Sequence, residues 1–247
     1  MDICEYLEYF QKETWKRIEF TTNTNLNNIR ETTLTENLVF SIFRIGQKQN
    51  GILIFEALDE TANGNDLEII IKKNNITYYF PTQAKIISPK SKYKYTKISH
   101  KVKSKSTFQI DDLIGYAKIN GGVPLYLLYS YHHPTPNLDN YGASLVKAEY
   151  IRSKFYPTAP KTRWKIPSFN DLYPNSVPLS YLCNSNNLSL LGGTNPLPPS
   201  DNWKIINSKK EILEISNHNK TSFNPKFRIQ IDLDKERYPT TNNVYKQ

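Results

Sequence analysis

Two short polar motifs on neighbouring predicted strands restrict most strongly what this chain can fold into. Gly64-Asn65-Asp66-Leu67-Glu68 opens one strand-like run, and Gln83-Ala84-Lys85 lies in the next run, one hairpin later. Side chains along a strand alternate between its two faces. The two acidic side chains therefore share a face of their strand, as the amide and the lysine do on theirs. If the strands pair as a hairpin, we expect these four side chains to meet.

Such a set matches the ligands of a hard divalent cation. Mg²⁺ prefers oxygen ligands in octahedral geometry, commonly one or two carboxylates together with waters and phosphate oxygens. We predict Asp66 as the central ligand, with the Gln83 side-chain oxygen and the Ala84 backbone carbonyl as further ligands. Lys85 would place a fixed positive charge beside an attacking water and a scissile phosphate. The pattern thus indicates a Mg²⁺ (or Mn²⁺) site that acts on a phosphodiester.

Hydrophobic periodicity and turn residues predict the elements around these motifs. The predicted helices cover residues 2–19, 34–43 and 107–120, and the predicted strands cover 51–57, 66–71, 76–87 and 123–131. Asp2 is the expected cap of the first helix. Pro81 interrupts the third strand, so we expect a bulge there or a strand that is useful only from Thr82. The apolar strand 123–131 is expected deep in the sheet.

The second half of the chain has a different character. Twelve of the 15 prolines lie from Pro134 onward, and a helix over 143–155 and a strand over 227–233 are the clearest elements there. We expect a core over residues 1–133 and a C-terminal elaboration over 134–247 packed on that core. A single domain over 1–247 is the open alternative.

The order of the motifs resembles the PD-(D/E)xK nuclease superfamily, and most closely the Mrr-like branch in which Gln replaces the middle acidic residue. It also resembles an uncharacterised bacterial family with Glu-x-x-x-Thr-[Asp/Glu], Gly-x-Asp-x-Glu and Gln-Ala-Lys motifs. Here these read Glu31-Thr32-Thr33-Leu34-Thr35-Glu36, Gly64-Asn65-Asp66-Leu67-Glu68 and Gln83-Ala84-Lys85. The similarity covers residues 31–131 best. It implies an α/β fold with a restriction-endonuclease-like central mixed sheet flanked by helices and a loop-rich C-terminal elaboration.

The resemblance also implies roles for single residues. Asp66 corresponds to the metal ligand, Gln83 to the second acidic position and Lys85 to the catalytic lysine. A glutamate on the preceding helix would complete the site, and both Glu36 and Glu31 fit that position. Glu36 has a competing interpretation as the third residue of a capping box that starts at Thr33. Glu68 is expected either to support the ligands from behind or to face solvent.

A lysine-rich segment follows the second motif directly. Residues 88–106 hold seven lysines, three interleaved tyrosine and histidine residues and no acidic residue, in a chain whose net charge is +9. Lysines neutralise phosphates without reading sequence, and tyrosines stack on bases. We therefore predict that Lys92, Lys94, Lys101 and Lys103 bind DNA. The open alternative is a solvated loop.

The two cysteines and the N-terminal sequence bear on the compartment. Cys4 and Cys183 are far apart in sequence and fit no zinc motif, so we expect a reducing compartment and no disulfide. The N-terminus lacks the apolar run of a secretory signal, and no stretch approaches a membrane span. The expectation is a cytoplasmic protein without a membrane partner.

The leading functional hypothesis is a Mg²⁺-dependent DNA nuclease. A setting in bacterial defence against foreign DNA is implied only by the resemblance. The first alternative is a catalytically inactive nuclease-like module that binds DNA or a partner protein. The second is a structural or assembly subunit. A homo-oligomer or a place in a defence complex is compatible with each of these.

Overall fold

A computed structural model describes residues 1–24, 29–57, 67–98, 108–133, 141–156, 165–183, 188, 191, 203–205 and 227–235. Within these ranges the chain has an α/β fold with one mixed sheet. The helices are α1 (Ile3–Asn23), α2 (Glu31–Gly46), α3 (Gln109–Ile119), α4 (Ala148–Phe155) and α5 (Phe169–Leu172). The strands are β1 (Ile52–Ala57), β2 (Leu67–Lys73), β3 (Ile76–Ile86), β4 (Leu125–Tyr129), β5 (Ala143–Lys147), β6 (Val177–Pro178), β7 (Trp203–Ile205) and β8 (Phe227–Asp232).

Strand β3 lies in the interior of the sheet, whose order is β6-β5-β4-β3-β2-β8-β1-β7. It pairs antiparallel with β2 and parallel with β4. The bulge expected at Pro81 is wrong, because Glu68 pairs with Pro81 and Leu67 pairs with Thr82 in unbroken register. The ladder with β4 begins only at Thr82, beyond the proline. The two halves of the predicted strand are therefore one strand of 11 residues.

Strands from the second half of the chain complete the sheet. β8 lies between β2 and β1, and it runs parallel to β2 and antiparallel to β1. The strand predicted at 227–233 is thus confirmed. The helix predicted over 143–155 is wrong in its first part, because Ala143–Lys147 forms β5 and pairs with β4 before α4 begins. Pairing with a buried strand here outweighs the local preference for helix.

Helices cover both faces of the sheet. Phe10 of α1 packs edge-on against Tyr129 with ring centroids 6.4 Å apart, and Thr35 of α2 lies 3.0 Å from the Tyr129 hydroxyl. Tyr129 pairs through the ladder with Ile86, whose side chain points away from the face that carries Lys85. On that other face, the Tyr116 hydroxyl of α3 donates to Glu68. Lys85 therefore points toward the α3 side of the sheet.

Two helix starts test the capping predictions. Asp2 caps α1 as expected, since its carboxylate accepts from the backbone N–H groups of Cys4 and Glu5. The capping box proposed at Thr33 is wrong, because α2 begins at Glu31 with Arg30 as the N-cap residue. Glu31 thereby occupies the first turn, where the helix dipole favours a carboxylate. Glu36 lies inside the helix.

A disulfide links the two cysteines, so the expectation of no disulfide is wrong. Cys4 and Cys183 are 179 residues apart in sequence, with Cα atoms 5.7 Å apart. They meet because α1 packs against the turn at 179–183, where the backbone N–H of Ser180 donates to Gln11 at 3.1 Å. Spacing in the sequence carries no signal for such a long-range contact. None of the described helices combines the length and apolarity needed to cross a bilayer.

The disulfide closes a long loop, so its removal should lower stability. In the chain-entropy description a loop of this size contributes about 5 kcal/mol. We expect the C4S/C183S variant to lose a large part of that free energy of unfolding in urea titrations. A reductant should destabilise the wild type and leave the variant unchanged. Two free thiols per unfolded, unreduced chain would contradict the disulfide.

Two glycines offer a matched test of the packing. A Cβ on Gly142 would lie 2.1 Å from the backbone nitrogen of Trp15, whereas a Cβ on Gly115 of α3 would meet nothing within 4 Å. Gly142→Ala should therefore cost about 3 kcal/mol through overpacking. Gly115→Ala should stabilise the protein by up to about 1 kcal/mol, because alanine favours a helix interior. Urea unfolding measures both changes, and equal stabilities would refute this account of the α1 contact.

Candidate active site

The end of strand β3 carries the amide and the lysine of the second motif on one face. Gln83 pairs with Tyr126 of β4, and Lys85 pairs with Leu128. The Gln83 side chain is fully buried, and Lys85 is only 3% exposed. An ammonium group so deeply buried requires compensation by an opposite charge.

Glu31 provides a carboxylate at this point. Its Oε1 lies 3.7 Å from Lys85 Nζ, and its Oε2 accepts a hydrogen bond of 3.0 Å from the backbone N–H of Ile86. The first residue of α2 is thereby hydrogen-bonded to the last residue of β3. The sequence offered Glu31 and Glu36 as alternatives, and the structure brings Glu31 to the lysine.

Glu36 lies five residues further along α2. Five residues rotate a side chain by about 140° around a helix axis, so the two carboxylates cannot face the same point. Glu36 is half-buried. A metal-binding role for Glu36 stays a prediction.

The oxygen donors at this site suit a hard cation but do not complete its ligand set. Glu31 supplies a carboxylate, and Gln83 and Ala84 supply neutral oxygens of the kind that Mg²⁺ accepts. Over the described ranges, no three His, Cys, Asp or Glu side chains lie close enough together to hold a metal. Asp66 lies outside the described residues. Leu67, which follows it in sequence, pairs with Thr82, the neighbour of Gln83.

Glu68 is fully buried and belongs to a second cluster rather than to the solvent-facing surface. Its Oε2 accepts from Arg228 Nε at 2.8 Å and lies 2.7 Å from a terminal guanidinium nitrogen of the same residue. Its Oε1 accepts from the hydroxyls of Tyr79, at 2.7 Å, and of Tyr116. Both carboxylate oxygens are thus engaged by protein donors. The cluster joins β2, β3, β8 and α3.

The two tyrosines act as permanent donors in this cluster. Burial, followed by the negative charge of Glu68, raises the pKa of Tyr79 and of Tyr116 far above the usual range. Both hydroxyls therefore stay protonated at any physiological pH and can donate to the Glu68 carboxylate. Sequence reasoning missed this role of Glu68, because Arg228 lies 160 residues away in the chain.

A cleft opens beside the Glu31 carboxylate. Its volume is about 530 Å³, and it lies between the end of α1, the start of α2 and the chain that leaves β3. Arg30, Glu31 and Lys97 contribute charged groups to its wall, and Ile86 and Ile87 contribute apolar ones. Glu31, the partner of Lys85, thus borders a space that is open to a ligand.

The sequence matches a family profile over residues 3–243, that of DUF6615, which is described as a family of unknown function. The chain belongs to this family. No curated protein and no solved structure matches it significantly. Membership in DUF6615 carries no link to the PD-(D/E)xK superfamily, so that resemblance stays a prediction.

In this DUF6615 protein the first part of the lysine-rich segment is firmly built into the fold. Tyr95 is buried and its hydroxyl lies 2.6 Å from Ser130 Oγ, while its backbone N–H donates to Pro167. Lys92 and Lys94 are exposed on this structured loop. Lys101 and Lys103 lie outside the described residues. DNA binding by these four lysines stays a prediction.

Gln109, the first residue of α3, is a further buried polar group on the Lys85 side. The parallel pairing of β3 and β4 requires α3 to run back from the end of β3, which places Gln109 at that end of the sheet. Its side chain is fully buried, and neither amide atom has a hydrogen-bond partner in the described part of the chain.

The Glu68 cluster makes a strong prediction about stability. Arg228→Met leaves an uncompensated carboxylate in the interior and should cost about 3–5 kcal/mol. The pair E68Q/R228M removes both charges, and its glutamine can still accept from the tyrosines, so it should cost less than the sum of its single variants. Urea unfolding of the four proteins gives the coupling energy, expected at about 1–3 kcal/mol. Additive losses would contradict a coupled cluster.

Proposed function

We propose that this protein is a metal-dependent nuclease that hydrolyses DNA phosphodiester bonds on a restriction-endonuclease-like sheet. The observation that carries the proposal is the buried Lys85 at the end of a central strand, 3.7 Å from the carboxylate of Glu31, a residue that lines a cleft. A lysine held in this way is a preorganised positive charge. Such charges stabilise the negative charge that develops on a phosphoryl group in the transition state.

The two sides of the site have distinct tasks in this proposal. Lys85 stabilises the developing negative charge, and its low exposure keeps water from screening it. Glu31, fixed by the Ile86 N–H, orients the lysine and offers a carboxylate to a cation. A bound Mg²⁺ or Mn²⁺ would supply Lewis acidity and an activated water. Asp66 and Gln83 would be its other ligands.

Gln83 favours a second candidate function. Its side chain is a neutral amide at a position where a carboxylate would bind a cation more tightly. The ligand set therefore carries less negative charge. The same fold would then serve as an inactive module that binds DNA through its lysines. Both candidates predict that the protein binds DNA, and only the first predicts that it cuts DNA.

Cleavage of supercoiled plasmid in Mg²⁺ or Mn²⁺ tests the nuclease proposal. Glu31→Gln, Lys85→Met and Asp66→Ala should each lower the nicking rate by about 10²–10³-fold, because each removes a group that acts on the reacting phosphate. Glu36→Gln is the matched control on the same helix. It should retain activity, because its side chain lies on another face of α2.

Three outcomes separate the candidates. Nicking at one rate by the wild type and all four variants means a contaminating nuclease and refutes the proposal. DNA that is bound by every protein and cut by none supports the inactive module. Loss of activity in Glu36→Gln with retention in Glu31→Gln would assign the helix carboxylate to the other residue.

A further inference from the structure

We infer that the cleft beside Glu31 receives one unpaired nucleotide of a nucleic-acid strand, so the preferred substrate is a strand with a single-stranded end rather than a blunt duplex. This inference rests on the proposed function and adds a substrate class to it. The ligand chemistry is that of one nucleoside monophosphate unit. The size, the lining and the position of the cleft carry the argument.

The size of the cleft matches one nucleotide. Its volume of about 530 Å³ lies in the range of about 300–1,000 Å³ that pockets for single small ligands occupy. A duplex is larger, since each of its base pairs already joins two nucleotides. A duplex can therefore lie only across the mouth of the cleft, whereas a single unpaired nucleotide can enter it.

The lining combines the three kinds of group that a nucleotide needs. The exposed side chains of Arg30 and Lys97 offer positive charge to a phosphate at the rim. An apolar wall suits the face of a base, and hydroxyl groups offer hydrogen bonds to a sugar and to base edges. The wall consists of Ile18, Ile29, Ile86 and Ile87, and the hydroxyls include those of Thr22 and Ser88.

The position of the cleft connects it to the reacting phosphate. Glu31 lines the cleft and also lies 3.7 Å from Lys85 Nζ. A nucleotide in the cleft would therefore place an adjoining phosphodiester close to Glu31, whose carboxylate pairs with Lys85. In this inference the cleft holds the unpaired nucleotide, and Glu31 lies next to the adjoining bond.

Fluorescence anisotropy in EDTA tests the inference without any cleavage. The probes are a blunt duplex, the same duplex with a short single-stranded overhang, and a free mononucleotide as competitor. We expect the wild type to bind the overhang probe at least tenfold more tightly than the blunt probe. The R30Q/K97Q variant should lose this preference, because it removes the two cations of the cleft.

The K92Q/K94Q variant is the matched control, because it also removes two positive charges from exposed positions near the site. It should weaken the binding of both probes to the same extent and leave the ratio of their affinities unchanged, as expected of contacts to the phosphate backbone. Thermal unfolding of both variants shows whether they fold. Equal binding of the blunt and overhang probes by the wild type would overturn the inference, as would an unchanged ratio in R30Q/K97Q.

The competitor and the cleavage assay separate the remaining outcomes. If the mononucleotide competes only at concentrations far above the concentration of the overhang probe, the result supports a strand as the ligand. A mononucleotide that competes as well as the probe assigns the cleft to a free nucleotide and overturns the strand assignment. A protein that prefers the overhang but cuts nothing fails only the proposed nuclease activity. A protein that cuts plasmid but ignores the overhang fails only this inference.

Discussion

The buried ion pair between Glu68 and Arg228 is the interaction on which the architecture depends. Two charges removed from water are stable only if their hydrogen-bonding groups are satisfied. Glu68 meets this requirement because the guanidinium engages one carboxylate oxygen and two tyrosine hydroxyls engage the other. Each donor comes from a different element, so the pair forms only when β8 lies beside β2 and α3 packs over both. A strand from the far end of the chain is thus locked into the middle of the sheet.

The pair formed by Lys85 and Glu31 has a different construction. Its charged atoms are 3.7 Å apart, beyond hydrogen-bonding distance, and the carboxylate also accepts from a backbone N–H and borders an open cleft. Glu68 is enclosed by donors, whereas Glu31 faces a space that a ligand can enter. Close, saturated contacts suit a structural role, and a looser pair at a cleft suits groups that meet a substrate. The contrast separates Glu68, which is enclosed in the fold, from Glu31, which borders the cleft.

Local sequence patterns predicted the features that depend only on residues close in sequence. The Asp2 cap and the alternation in β2 and β3 were readable, because capping and strand periodicity depend on neighbours within a few residues. The sequence did not predict three other features: the Cys4–Cys183 disulfide, the Arg228 partner of Glu68 and the strand at Ala143–Lys147. Each depends on a residue or strand that reaches its partner only through the tertiary fold. The start of α2 was missed for a local reason, because a plausible capping box at Thr33 concealed the earlier start at Glu31.

The geometry of the sheet also explains how the Glu31 carboxylate can lie near groups on both faces of the sheet. Lys85 points toward the α3 side, whereas α2 packs on the opposite side of the same strand. Glu31, at the start of α2, accepts from the Ile86 N–H at the end of β3 and also lies 3.7 Å from Lys85 Nζ. The cleft against α1 and α2 and the buried lysine beneath α3 are therefore connected through a single side chain. Substrate bound in the cleft would change the surroundings of Glu31 and, through its charge, those of Lys85.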